Sequence, residues 1–189
     1  VRLVIDGAGA ITQVSTGGIN ASNFGIDAGL SAVTLTAGAN RIGTLAANVA
    51  SLALQVNEGI NLGSTYGSGL YLGTIGQLSG VQATGTINIS NAGNVFINGP
   101  VSAGDTTSSA LVIEAGRGIA ANAYTGANQA DVILLNSPTI SVGAGGRGTF
   151  YSGSYENAGA ALASQLASGS HRFRYNSTQL APGYSEALG

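Results

Sequence analysis

With 189 residues, 44% of them hydrophobic, the chain can bury one continuous core, which excludes an unfolded low-complexity polymer. Only 7% of its residues are charged and the net charge is −2, with no basic run, which excludes a phosphate-binding surface for nucleic acid. Apolar stretches are short and broken by Gly, Asn or Ser, well under the roughly 20 residues of a membrane-spanning helix, and the absence of cysteine excludes disulfides and thiolate metal sites.

Every basic residue is an arginine, so the surface must be wetted largely by Asn, Ser, Thr and the 31 glycines. These residues favour tight turns, by reaching φ > 0 or by bonding their own backbone. The chain opens on VRLVIDG, with no methionine and no basic start ahead of an apolar signal core, and is expected to be an excerpt of a longer protein. The stretch ITQV (11–14) precedes six apolar pairs at i, i+2: Val33/Leu35, Leu52/Leu54, Leu70/Leu72, Ile87/Ile89, Leu111/Ile113 and Val132/Leu134. Successive pairs start 19, 18, 17, 24 and 21 residues apart. Residues two apart on a strand point to the same side, so each pair can feed one buried face.

A second series follows, because Ile60, Leu78, Val95, Ile119 and Ile140 each lie eight residues after the first member of a pair. The exception is Val33, whose eighth successor is Arg41, with Ile42 one step later; a bulge there would restore the phase. Two inward strands per unit, joined by turns, is what one coil of a β-solenoid requires. The spacing therefore predicts an all-β, right-handed parallel β-helix over residues 1–150, with coils of about 17–24 residues and the aliphatics of both series stacked in its core. Handedness comes from the general rule for parallel connections. An antiparallel sandwich or barrel is the alternative, but it needs no fixed phase, and the only Asn-Gly hairpin signal is Asn98-Gly99, before Pro100. Stacked at the strand spacing, the coils would form a rod about 35 Å long.

From Phe150 the pattern changes, and residues 151–189 are expected to be a cap or linker. Ala158, Leu162 and Leu166 lie at helical spacing within Glu156 to Ser168, which Gly169 ends, so a short helix is predicted there. The tail alternates once through HRFRYNS and turns at Pro182-Gly183.

Candidate chemistry is sparse. Gly143, Gly145 and Gly148 form a G-x-G-x-x-G, but TFYSG follows as strand instead of helix, so a glycine corner is expected and no dinucleotide or calcium. His171 is the only histidine, beside no nucleophile elbow, and reads as exposed. A polysaccharide lyase or hydrolase would need clustered acids. Asp6 and Asp27, 21 residues apart, are the one pair expected to stack, whereas Glu58, Asp105, Glu114 and Asp131 share no phase and are expected to cap turns or pair with arginines. Thr34 and Thr36 do not extend into a threonine ladder, and the N-x-[ST] triplets at Asn20, Asn88 and Asn176 matter only on a eukaryotic secretory route. No catalytic residue, metal or cofactor is expected.

At GAGAITQ (7–13), VTLTAGANRIGTLAA (33–47) and GNVFINGPVSAG (93–104) the chain resembles large exoproteins of the filamentous-haemagglutinin type, and TFYSGSY…HRFRYNS (149–177) is similar to the segment closing their β-helical region. The resemblance implies a β-helical shaft, two-partner secretion across the outer membrane, and a place at the bacterial cell surface in adhesion or biofilm. The partners it implies are further coils of the parent chain or copies of itself end to end, and a host or bacterial surface glycan or protein. A self-assembling filament and a β-helical polysaccharide lyase or hydrolase are the alternatives.

Overall fold

The structure is a computed structural model that describes residues 1–59, 69–119, 130–153, 162 and 164. It is all-β, mostly strand, and dominated by one 13-stranded sheet. Its strands are β1 (Arg2–Val4), β2 (Gly9–Thr12), the long β3 (Asn20–Leu35) and β4 (Arg41–Val56), β5 (Gly69–Leu72), β6 (Thr74–Ile75), β7 (Leu78–Ser79), β8 (Val81–Ala83), β9 (Ile87–Asn91), β10 (Asn94–Ile97), β11 (Val101–Ala103), β12 (Leu111–Ala115), β13 (Val132–Leu134), β14 (Ile140–Val142) and β15 (Gly148–Tyr151).

Every pairing in the large sheet is parallel, and the registers sort into three ladders. Ladder I joins the first part of β3, the first part of β4, β5, β10 and β13, so that Phe24, Leu45, Leu72, Ile97 and Leu134 lie in line. Ladder II joins β1, the middle of β3 and β4, β8, β11 and β14, aligning Leu3, Ile26, Ala47, Val81, Val101 and Ile140. Ladder III joins β2, the ends of β3 and β4, β9, β12 and β15, aligning Ile11, Val33, Leu52, Ile87 and Leu111 with Gly148. From β1 to β15 the chain visits the ladders in strict rotation, II, III, I, and then again. One pass is one such circuit.

All three ladders turn their aliphatic residues toward one core, which contains Phe24, Leu45, Val49, Leu54, Ile89 and Ile113 among others. Strand geometry explains this: residues two apart share a face, and Ile87 and Ile89 in β9 and Leu111 and Ile113 in β12 are fully buried. A third of the circuit therefore needs only three to five residues of strand before the next turn.

Several expectations change at this level. The six apolar pairs do not form one column: Val33/Leu35, Leu52/Leu54, Ile87/Ile89 and Leu111/Ile113 lie on ladder III, while Leu70/Leu72 and Val132/Leu134 lie on ladder I. Leu54 and Ile89 are direct partners, and Leu72 sits between Leu45 and Ile97 instead. The second series is likewise divided. Val95 is on ladder I between Leu70 and Val132, Ile140 is on ladder II, Leu78 is in a hairpin, Ile119 is half-buried after β12, and Ile60 lies outside the described residues. Along ladder III the chain advances 22, 19, 35, 24 and 37 residues per pass, so two passes far exceed the expected 17–24. A pass that carries extra residues lets a ladder I pair fall where the next ladder III pair was expected.

The expected bulge near Arg41 is not there, since Asn20 and Arg41 are in register; the shift falls between Ala28 and Ala32, at the bend from ladder II to ladder III. One two-residue hairpin is present, where no Asn-Gly signal stands. β6 and β7 pair antiparallel around Gly76, at φ +62, which suits the first central position of a tight hairpin turn. Asn98-Gly99 forms a corner, with the Asn98 amide donating to Leu72 O. Of the expected helix over Glu156 to Ser168, only Leu162 and Ser164 are described; both are helical, and Leu162 is buried in the common core.

Candidate functional site

Where ladder III gives way to ladder I, the chain must turn while its backbone groups are cut off from water. Buried N–H and C=O groups need partners, so this bend recruits polar side chains. Asn40 is fully buried there. Its Nδ2 donates to Leu35 O, Gln55 O and Gln13 Oε1, each at 3.0 Å, and its Oδ1 accepts from Ile19 N at 2.9 Å and Gln13 Nε2 at 2.7 Å. One amide thus ties three successive passes.

Asn91 repeats the device further along. It stands in line between Val56 and Ala115, its Oδ1 accepts from Glu58 N at 3.0 Å, and its Nδ2 donates to Glu58 O and Asn94 O, both at 2.8 Å. Asn94 Oδ1 in turn accepts from Asp131 N at 2.8 Å. Ser152 Oγ donates to Asp131 Oδ1 at 3.0 Å and accepts from Val132 N at 3.1 Å. Two arginines brace the outer side, Arg41 donating to Asn57 O and Arg117 to Asn57 Oδ1. Burial pushes the Arg117 guanidinium below its ordinary range while the Glu114 carboxylate opposes that.

Glu58, Glu114 and Asp131 are all buried, Glu58 and Asp131 at this bend and Glu114 inside β12 in register with Ser90 and Tyr151, although their spacing suggested no common phase. Asp105 is apart from them, on the surface. Its carboxylate accepts from the Thr107 amide at 2.7 Å and from the Thr107 hydroxyl, and these bonds hold it below the usual carboxylate range.

The stacked acids expected of a glycosidase-like site are not assembled. Asp27 is in register with Val4 and pairs with Arg2 at 2.5 Å, with Asn48 at 3.4 Å on its other side, while Asp6 lies beyond β1. Gly143 and Gly145 lie in the turn between β14 and β15, and Gly148 opens β15; Gly145 takes φ +82 and Gly146 N donates to Gly143 O. His171 lies outside the described residues. The outward row on ladder III is Thr12, Thr34, Ala53, Asn88, Val112 and Thr149. On ladder I, Tyr71 and Phe96 stack at 4.4 Å, each ring covering a face of the other.

Asn40, Asn57, Asn91 and Arg117 went unremarked in the sequence. Their signal is nonetheless present: LTAGAN, LQVNEG, ISNAGN and IEAGRG begin on the inward aliphatics Leu35, Leu54, Ile89 and Ile113, each run combining Gly with Asn or a charged residue.

The described residues thus define an all-β protein built on a large parallel sheet, whose polar chemistry is concentrated at a bend. No helix among them is long and apolar enough to cross a membrane, and no group of three or more His, Cys, Asp or Glu among them is arranged to hold a metal ion. Compared with known proteins, the chain matches no protein-family model, no curated protein and no solved structure.

Proposed function

We propose that the chain is a stretch of right-handed parallel β-helix serving as a structural or adhesive shaft segment of a large secreted bacterial surface protein, of the filamentous-haemagglutinin type, in cell-surface or biofilm contact. The observation that carries this reading is the strict rotation of the strands through three parallel ladders around one core. A winding chain produces that order directly, and right-handed winding is the rule for parallel connections. Six layers on ladder II span about 25 Å between the outermost strands at the ordinary strand spacing. Backbone ladders along the axis, with an Asn-rich bend bonded across passes, suit a stiff spacer better than a catalyst. The enzyme alternative loses the acid pair on which it depended, since Asp6 and Asp27 are not register partners.

Cross-linking tests the winding in a chain that has no native cysteine. Asn48 and Gln82 are exposed register partners, so Asn48→Cys with Gln82→Cys should close a disulfide. A sandwich that separates these residues would leave both thiols free. A screen of the purified chain against acidic and neutral polysaccharides should give no turnover, and cleavage of any of them would overturn the shaft reading.

End-to-end assembly of copies is a second reading, favoured by a specific feature. The outer edges of β1 and β2 carry no pairing among the described residues, and Val1, Val4 and Val14 beside them are exposed. A further coil or a second copy would satisfy such an edge. Electron microscopy separates the readings, because a shaft segment stays as short particles and a polymer gives fibres.

A further inference from the structure

The hairpin of β6 and β7 is the only antiparallel element among the described residues; its tip, Gly76-Gln77, is exposed, while Ile75 and Leu78 pack back onto the sheet. It leaves the chain between β5 on ladder I and β8 on ladder II. Both of those strands pair with β4, yet the hairpin reaches past β4 to β3. At Gly25 of β3 an added Cβ would meet Leu78 Cδ1 at 3.3 Å, Ile75 Cγ2 at 3.6 Å and Arg2 Cγ at 3.6 Å. Gly25 is in register with Ala46, which is wholly buried although it lies on the outward side of the ladder. A glycine and an alanine there leave room for the two apolar side chains, and Leu78 becomes buried in return.

The base of the hairpin is fixed by hydrogen bonds. Gly80 N donates to Gly73 O at 2.8 Å, closing the loop, and Gly80 takes φ +67. Gln82 Nε2 adds a bond to Ser79 O at 3.2 Å.

We propose that residues 74–79 form a clasp, which locks β3, and through it β1, to the pass containing β5 and β8. Ladder pairing joins each pass only to its neighbours, so an outer strand can open by breaking a single row of bonds. The clasp changes that rule by spanning two steps of the ladder, about 9–10 Å. β1 and the adjoining part of β3 can separate from β4 only after Leu78 and Ile75 lift. Because the hairpin lies downstream of the strands it covers, a chain folding from β1 onward would shut it after those strands are in place, and the later pass would hold the earlier one closed. This inference stands on the packing over Gly25 and is independent of the shaft reading.

Hydrogen exchange resolved by residue tests it on the full chain carrying Leu78→Ser. Amides of β1 and of residues 23–28 should exchange roughly ten- to a hundredfold faster, from the lost burial of one leucine, with those of β12 and β15 unchanged. Gly25→Val keeps Leu78 but fills its seat, and should give the same local acceleration. Unchanged exchange at β1 and β3 in a folded variant would overturn the clasp. So would an acceleration spread evenly to β12 and β15, which would mean that the hairpin adds general stability only. If Leu78→Ser does not fold, Gly25→Val decides by the same criteria.

Discussion

The interior columns and the bends that join them are built on opposite principles. On ladder III, Val33, Leu52, Ile87 and Leu111 are interchangeable aliphatics, held by burial that has no direction. At the bend into ladder I, Asn91 meets Glu58 and Asn94 through specific bonds, and at the bend into ladder II, Gly80 brings two backbones into close approach. A column tolerates a change of shape, whereas a bend does not. The same core thus contains a permissive part and an exacting part, separated by two residues in the run from Ile89 to Asn91.

The sharpest way to break this contrast is Gly80→Ala. A Cβ there would stand 1.8 Å from Pro100 O at a positive φ, so the bend must deform, and a loss above about 4 kcal/mol is expected in denaturant unfolding. Asn91→Leu comes next. It keeps the volume but removes the bonds that Asn91 makes to Glu58 N, Glu58 O and Asn94 O, of which Glu58 O keeps its bond from Gly93 N, and should cost about 3–5 kcal/mol by the same measurement. A variant as stable as the parent chain would reduce the bend to an ordinary turn.

Ile89→Ala, two residues earlier, should cost about 2–4 kcal/mol through lost transfer energy and a residual cavity between Leu54 and Ile113. Ile113→Val removes one methylene from the same column and should cost only about 0.5–1.5 kcal/mol, read as a small fall in melting temperature. Smallest of all is Arg2→Ala. The Arg2 and Asp27 side chains are 45% and 32% exposed, so solvent screening limits the loss to under about 1 kcal/mol, and it should shrink further at high salt. A larger effect from Arg2 would point to its alkyl stem, which packs over Gly25 beneath the hairpin.

Much of the interior could be read before any coordinates. Val33, Leu35, Leu52, Leu54, Leu70, Leu72, Ile87, Ile89, Leu111 and Ile113, all picked from i, i+2 spacing, are buried. The polar bend was less legible, because Asn91 looks the same in sequence whether it faces water or replaces it. Glu58 and Glu114, expected to cap turns or pair with arginines, are both buried, and the Glu114 carboxylate acts on Arg117. Only the neighbouring passes, which lie 24 to 37 residues away in sequence, supply their surroundings.

By itself the sequence determined that the chain is made of short strands with an apolar side, that glycine and asparagine mark the turns, and that charge plays little part. Those properties are local, since alternation and turn chemistry depend on residues a few positions apart. Only the tertiary structure decided which ladder each strand joins. Three faces feeding one core carry the same two-residue signal, and passes of unequal length erase the phase between them. The seat of Leu78 over Gly25 was decided there too, because it joins residues whose separation along the chain exceeds two turns of the pattern.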